Sequence, residues 1–195
     1  MFLRLAQEHG FAVHGLERNE PACEALMRDY QIPTITSSLE GYAGDERFDV
    51  VTMWDLLEHL PDPRAGLAKA RSLLQPGGIF ALEIPTRDSL LHWTAKAVFR
   101  ASRGRVRRPL YLVCGVHHLH YFSQEGIHRL MRESGLEPIE DHRGETSLTA
   151  LHKRAAAPLS SRAKAAAYNA TLDAAFAVAR FARRENKLIV FARAV

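Results

Sequence analysis

The chain has only two cysteines, Cys23 and Cys114, among its 195 residues. Two cysteines cannot build the disulfide framework of a small secreted domain, and they are too few for a cysteine-based zinc site. We therefore expect a protein of a reducing compartment, with the cytoplasm as the default location.

Long apolar runs are also absent. No stretch reaches the roughly 18 apolar residues that would span a membrane, and the opening MFLRLAQEHG lacks a cleavable signal pattern. The sequence thus predicts no membrane span and no export. A composition of 47% apolar and 25% charged residues is typical of an ordinary globular protein, and 195 residues require only a single domain, 1–195.

Acidic residues are scarce in one segment. Between Arg87 and Arg108 a single acid, Asp88, stands against seven basic residues, although the whole chain carries a net charge of only +4. Such a cluster could attract phosphate, an anionic substrate or a lipid headgroup, and a solvated helix face with its loop is the alternative. Because aromatic residues do not interleave with the basic ones, we expect no nucleic-acid partner.

The strongest pattern that is present is FDVVTMWDLLEHLPDP at 48–63. Apolar residues nearly fill positions 48–53, which predicts a strand covered on both faces. The polar residues after it then lie at the carboxyl end of a central strand, the edge where open α/β sheets bind ligands. Of these residues, Glu58 and His59 have capping and packing of the next turn as an equally good interpretation.

Helices and strands alternate along the chain, which predicts an α/β fold with a doubly wound, mostly parallel sheet. The predicted helices are 2–9, 21–30, 63–74, 89–101, 123–134 and 160–184, and the predicted strands are 11–16, 32–36, 48–53, 79–84, 136–142, 148–152 and 188–195. We expect a turn at 75–78 and a basic loop after the helix 89–101.

The segments VHGLE, SSLE, FDVVTMWDLLEHLPDP, LLQPGGIFALEIP and HHLHYFSQEGIHRLMRESG follow one another within residues 1–140. In this order they resemble the class I S-adenosylmethionine-dependent methyltransferases, most closely the group that includes ubiquinone-type O-methyltransferases. The resemblance implies a Rossmann-like sheet with an antiparallel C-terminal strand, matched here by 187–195. It also implies S-adenosylmethionine as cofactor and methyl transfer to a small-molecule acceptor.

By the same resemblance, the cofactor-binding residues are Glu17, Arg18, Ser38, Leu39, Trp54 and Asp55. Glu17, at the end of the second family strand, could accept hydrogen bonds from both ribose hydroxyls, and a solvated charge is the alternative. Ser38 and Leu39 would bracket the adenine, with Arg18 on its other side. The Trp54-Asp55 pair would lie near the methionine part.

The chain departs from this family at its beginning. Members open with a strand and a glycine-rich GxGxG loop, whose missing side chains let the backbone approach the cofactor. This sequence has no such motif and starts as if inside the following helix. The resemblance therefore implies an N-terminally truncated domain without its first strand, short by roughly 40 residues. An exposed sheet centre would invite pairing, which leaves homo-oligomer formation open.

Two histidines are candidates for the catalytic base. Methyl transfer requires alignment of donor and acceptor and removal of one proton, and histidine suits that task near neutral pH. His118 and His120 stand two apart on an extended segment and could both face the carboxyl edge of the sheet, whereas local hydrogen bonding of the HLHYFS turn is the alternative. A metal site with His117 is not predicted, because no carboxylate lies at ligand spacing. By the same resemblance, the basic segment at about 87–116 occupies the position where similar enzymes place a substrate lid, and it would favour an anionic acceptor.

Two other functions compete with methyl transfer. A nicotinamide-dependent oxidoreductase would also use an acid at the end of the second strand, but it is not expected to carry LLQPGG, LEIP and HLHYFS in this order. The stronger alternative is a non-catalytic methyltransferase-like binding or partner protein, which the missing glycine loop favours.

Overall fold

The computed structural model describes residues 2–114, 117–146 and 162–195. The chain divides into two compact units, Met1–Glu46 and Arg47–Val195. The single domain expected from the sequence stays a prediction. Within the described residues, no helix is long and apolar enough to cross a membrane.

The first unit pairs two short parallel strands with two helices. Its elements are α1 (Phe2–Glu8), β1 (Gly15–Glu17), α2 (Glu20–Tyr30) and β2 (Thr34–Thr36). The Asn19 side chain caps α2 by accepting a hydrogen bond from the backbone N–H of Ala22 at 2.9 Å. Both strands are shorter than predicted; β2 begins only after Pro33, which has no N–H with which to extend the ladder.

The second unit contains a four-stranded sheet and its covering helices. Its elements are β3 (Phe48–Trp54), a 3₁₀ turn (Leu57–His59), α3 (Pro63–Ser72), β4 (Leu74–Pro85), α4 (Leu90–Ala101), α5 (Arg108–Val113), α6 (Gln124–Glu133), β5 (Leu136–Gly144), α7 (Arg162–Phe181) and β6 (Lys187–Ala194). The strand order is β3-β4-β6-β5, and β6 runs antiparallel to both of its neighbours. The predicted α/β fold with mostly parallel strands and an antiparallel C-terminal strand is confirmed.

The core of the second unit lies chiefly on one face of β4 and β6, where every second residue is buried. In β4, Phe80, Leu82 and Ile84 are fully buried, and in β6 Leu188 and Val190 are fully buried. The helix α6 packs against β5 and buries Ile127 and Met131, which lie four residues apart and so share one face of the helix.

Three local predictions differ from the structure. The strand β3 is not covered on both faces: Met53 is buried, but Val50 is 41% exposed, because β3 is an edge strand of this unit's sheet with β4 on one side. The segment 75–78 is not the predicted turn between helix and strand; β4 runs through it with a register shift between Phe48 and Val50 of β3. Gly78 is required there, since a Cβ would lie 3.0–3.1 Å from the backbone oxygens of Gln75 and Asp49.

The third difference is α5, which replaces part of the predicted basic loop and carries Pro109 in its first turn. The predicted strand 148–152 lies outside the described residues. The remaining helices and strands agree with the sequence prediction to within a few residues at their ends.

Candidate functional site

In the first unit, the parallel pairing of β1 and β2 brings two predicted cofactor segments to one edge. Glu17 ends β1 and lies opposite Thr36, the last residue of β2, and Ser38 and Leu39 follow directly. The backbone N–H of Ser37 donates to the Glu17 carbonyl oxygen at 3.0 Å and holds the two strand ends together. The structure thus places Glu17, Ser38 and Leu39 along the same edge of this small sheet.

The Glu17 carboxylate is fixed in direction although it is exposed. Its Oε1 accepts hydrogen bonds from the backbone N–H groups of Arg18 at 2.8 Å and Asn19 at 2.9 Å. Among the described residues, the second oxygen has no hydrogen-bond partner. The second oxygen of this carboxylate can therefore accept a hydrogen bond from a ligand, as recognition of a ribose diol requires.

The neighbouring loop offers a hydroxyl and an apolar surface. Ser38 Oγ accepts from the backbone N–H of Gly41 at 3.0 Å, and the Leu39 side chain is 8% exposed. Arg18 is exposed beside Glu17. A buried leucine next to polar groups suits one face of an aromatic base, while Arg18 is simply solvated in this structure.

In the second unit, the corner after β3 is already occupied by a positive charge. Asp55 has the left-handed φ of 48° and accepts with both carboxylate oxygens from Nζ of Lys187, at 2.5 Å for Oδ1. The same Nζ donates to Glu83 Oε1 at 2.7 Å. Trp54, one residue earlier, donates from Nε1 to Thr52 Oγ1 at 3.1 Å.

Glu58 is the most unusual side chain of this region. It is fully buried, and neither of its carboxylate oxygens has a hydrogen-bond partner among the described residues. Burial raises the pKa of its carboxyl; the weaker influence of its own backbone N–H opposes the rise, and the charge of Asp55 adds to it. A buried carboxylate without hydrogen bonds is costly, so this site departs from what stability alone would select.

Residues 118–120, which we call the HLH segment after their sequence His-Leu-His, pack against the 3₁₀ turn that carries Glu58. The backbone N–H groups of Leu119 and His120 both donate to the Glu58 carbonyl oxygen, at 2.9 and 3.2 Å. His59 donates from Nδ1 to the His117 carbonyl oxygen at 3.0 Å, which leaves its Nε2 4.0 Å from the Glu58 carboxylate. His118 completes the group, because its ring lies edge-on to the His59 ring with 4.8 Å between centroids.

The two histidines predicted as bases have different surroundings. Burial lowers the pKa of His118, and the nearby His59 lowers it further, so the imidazole is neutral near pH 7. Its Nδ1 is buried without a hydrogen-bond partner among the described residues. His120 instead stacks on Phe122 with 6.0 Å between ring centroids. Of the two imidazole rings, that of His118 is the one that groups with the Glu58 carboxylate and the His59 ring, whereas His120 contacts Glu58 through its backbone N–H.

The donor atoms of Glu58, His59 and His118 all lie within 4.8 Å of one another. Two imidazoles and a carboxylate are ligands that divalent transition metals accept. The sequence prediction of no metal site used the lack of a nearby carboxylate in the chain, whereas the fold supplies Glu58 from 60 residues away. Sequence reasoning named Glu58 and missed its burial.

Sequence reasoning missed a further polar group beside the histidines. Cys114 Sγ lies 3.7 Å from His92 Nδ1, and Tyr121 packs between His92 and His118 with ring distances of 5.9 and 5.8 Å. Burial, with the thiol of Cys114 nearby, raises the pKa of Tyr121 to about 12. This phenol therefore stays protonated and can donate a hydrogen bond at any physiological pH.

The predicted lid consists of α4 and α5 packed on α7. A small apolar cavity of about 120 Å³ lies among these helices and is lined by Leu91, Thr94, Ala95, Val98, Pro109, Val113, Tyr168 and Leu172. None of these is a predicted site residue. Six basic side chains of the segment are exposed and form no ion pair within the described part of the chain: Arg87, Lys96, Arg100, Arg103, Arg105 and Arg107.

Comparison with known proteins agrees with the sheet and the motifs. The sequence model of a family described as a methyltransferase domain matches residues 1–141. The ubiquinone biosynthesis O-methyltransferase of Thiobacillus denitrificans is 31% identical over 141 residues, which cover 67% of this chain and 57% of that enzyme. The enzyme of the same name from Cereibacter sphaeroides strain ATCC 17025 is 33% identical over 99 residues, or 50% of this chain and 38% of the relative. The chain thus spans about half the length of these curated relatives.

Solved structures share the fold. The magnesium protoporphyrin IX methyltransferase of Synechocystis PCC 6803, solved with bound S-adenosylhomocysteine, has a TM-score of 0.60 and 15% identity, covering 99% of this chain and 68% of that one. The 1,6-didemethyltoxoflavin-N1-methyltransferase of Burkholderia thailandensis has a TM-score of 0.57 and 17% identity, covering 97% of this chain and 64% of that one. Together with the family match over residues 1–141, the ordered motifs and the sheet show that the chain belongs to the class I S-adenosylmethionine-dependent methyltransferases.

Proposed function

We propose that this protein transfers a methyl group from S-adenosylmethionine to a small, anionic acceptor. The observation that carries the proposal is the Glu17 carboxylate, which two backbone N–H groups hold at the end of a parallel strand with one oxygen left to accept. A rigid acceptor of this kind binds a ribose diol without paying the entropy of ordering a loose side chain. When bound, the cofactor supplies a methyl group activated by a sulfonium.

We assign the remaining roles in this proposal residue by residue. Ser38 and Leu39 contact the adenine, with Arg18 beside it, and the Trp54-Asp55 corner faces the methionine part. His118 takes the proton of the acceptor, because burial keeps its imidazole neutral at the pH where a base is needed. His120 remains a second candidate, although its ring stacks on Phe122.

The charge of the lid supports an anionic acceptor. Its exposed basic side chains have no carboxylate partner among the described residues, so their field extends into solvent. An anionic acceptor would be attracted to this segment, and its apparent KM would rise with ionic strength as salt screens the attraction.

The proposal is tested by isothermal titration calorimetry with S-adenosylhomocysteine. We expect the unmodified protein to bind, and Glu17→Gln to bind about tenfold more weakly, because the amide still accepts a hydrogen bond but loses the charge assistance, a difference of roughly 1.4 kcal/mol. Glu20→Gln is the matched control: it removes an exposed acid three residues away and should leave affinity unchanged. Binding by neither form would contradict the proposed function, and equal binding by both would contradict the role of Glu17.

A further inference from the structure

The carboxyl end of the sheet in the second unit contains an ammonium group held between two carboxylates. Lys187 begins β6 and pairs with Pro85, the last residue of β4, so the antiparallel direction of β6 places it at that edge. Its side chain is 12% exposed, against 50% for Asp55 and 24% for Glu83. The three donor hydrogens of the ammonium are matched by three carboxylate oxygens of these two residues.

This arrangement fixes both the charge and the shape of the edge. Burial alone would lower the pKa of Lys187, but its hydrogen bonds and ion pairs with Asp55 and Glu83 outweigh that effect and leave the pKa raised. The ammonium is therefore present throughout the physiological range. The carboxylates of Asp55 and Glu83 together carry a charge of −2, and the ammonium of Lys187 reduces the net charge of the cluster to −1. The cluster lies where Asp55 turns the chain in a left-handed conformation.

We propose that Lys187 is a charge-setting residue that weakens the attraction of this edge for the cationic sulfonium of S-adenosylmethionine and thereby favours methyl transfer. This inference rests on the proposed function, in which Asp55 faces the methionine part. As the bond between sulfur and the methyl carbon breaks, its electron pair stays on sulfur, and the bond from the acceptor to the methyl carbon forms. The positive charge on sulfur is lost in this step.

A strongly negative edge would oppose the step. Carboxylates that face a sulfonium stabilise the ground state more than the transition state, in which the positive charge is already dispersing. Lys187 removes part of this unproductive stabilisation by occupying Asp55 and Glu83 itself. Loss of Lys187 should thus tighten binding of the charged donor and slow the chemical step, whereas a merely structural lysine would weaken both ligands alike.

The test compares the affinities of S-adenosylmethionine and S-adenosylhomocysteine, which differ by one positive charge, for the full chain by calorimetry. For Lys187→Met we expect the affinity ratio to shift toward S-adenosylmethionine by about threefold to tenfold, the effect of a unit charge within a Debye length. Lys187→Arg keeps the charge and should leave the ratio unchanged. Where turnover is measurable, Lys187→Met should lower both KM for the donor and kcat.

Two further variants separate this effect from general electrostatics and from misfolding. Lys69→Met makes the same charge change near the end of α3, which leads into the amino end of β4, and should not alter the ratio. Glu83→Gln removes one negative charge and should shift the ratio in the opposite direction, which keeps the inference testable if Lys187→Met does not fold. An unchanged ratio in both Lys187→Met and Glu83→Gln would overturn the inference, and failure of the unmodified protein to bind either ligand would overturn the proposed function instead.

Discussion

Replacing Glu58 with Gln should make the protein more stable at pH 8. The side chain is fully buried and its two carboxylate oxygens have no hydrogen-bond partner among the described residues, so ionised Glu58 bears a desolvation penalty that a neutral amide of the same shape largely avoids. We expect a gain of about 1–2 kcal/mol, within the range for buried unsatisfied groups. In a chain of this length that gain corresponds to a rise in Tm of about 2–8 °C.

The pH dependence of this gain follows from the direction of the pKa shift. The pKa of Glu58 is raised in the folded state, so the folded protein binds a proton more readily than the unfolded chain does. Stability contributed by this proton is fully present below the ordinary carboxyl pKa of 4.5 and is lost as pH rises through the raised folded value. Glu58→Gln has no carboxyl to ionise and therefore does not lose stability in this way. The difference in free energy of unfolding between this variant and the unmodified protein should disappear near pH 4.5.

Urea unfolding at pH 8 and at pH 4.5, with a chelator to remove divalent cations from Glu58 and its neighbouring histidines, measures the effect. Glu125→Gln, at an exposed position in the first turn of α6, is the control and should change stability by less than about 0.5 kcal/mol. A Glu58→Gln variant that is no more stable than the unmodified protein at pH 8, or whose gain persists unchanged at pH 4.5, would refute the reasoning.

Two further predictions concern the proton acceptor and the lid. If the proposed function holds, His118→Asn should slow methyl transfer by about 10²–10⁴-fold and His120→Asn should not; equal losses in both variants would contradict the assignment. Because the pKa of His118 is lowered, the rate of the unmodified protein should fall only below about pH 6.5. Ser89→Ala should destabilise the protein by about 1 kcal/mol, because the fully buried Ser89 caps α4 by accepting a hydrogen bond from the His92 N–H. Amide hydrogen exchange should become faster in α4 and not in the sheet, and equal acceleration in both would contradict this prediction.

The elements were predictable because their signals are local. The capping residues Asn19, Asp62 and Ser123 each accept a hydrogen bond from the backbone three residues on, as short polar side chains at helix starts do. The exposure of Val50 was not predictable, because whether an apolar strand is central or at an edge depends on which strands pair with it. That pairing is set by contacts distant in sequence.

The same limit applies to the site. The sequence identified Asp55 and Glu58 from their place after a strand, but Lys187 lies 132 residues from Asp55 and carries no motif. Its role appears only when β6 is inserted antiparallel beside β4, which brings its first residue to the carboxyl end of the parallel strands. Likewise, the burial of Glu58 depends on the HLH segment, which docks on it from about 60 residues further along.

Two features of the second unit oppose stability just beyond β3. Glu58 is a buried carboxylate whose side-chain oxygens have no hydrogen-bond partner among the described residues, and Asp55 has a left-handed φ that non-glycine residues rarely adopt. Elsewhere the described core of this unit is mostly apolar. Because sequences retain such costs chiefly where function requires them, the presence of both at this edge supports placing the chemistry there. Asp55, paired with Lys187, lies near the neutral His118 and the desolvated Glu58. This group sets the charge at the edge of the sheet, and a sulfonium donor loses its positive charge when its methyl group is transferred.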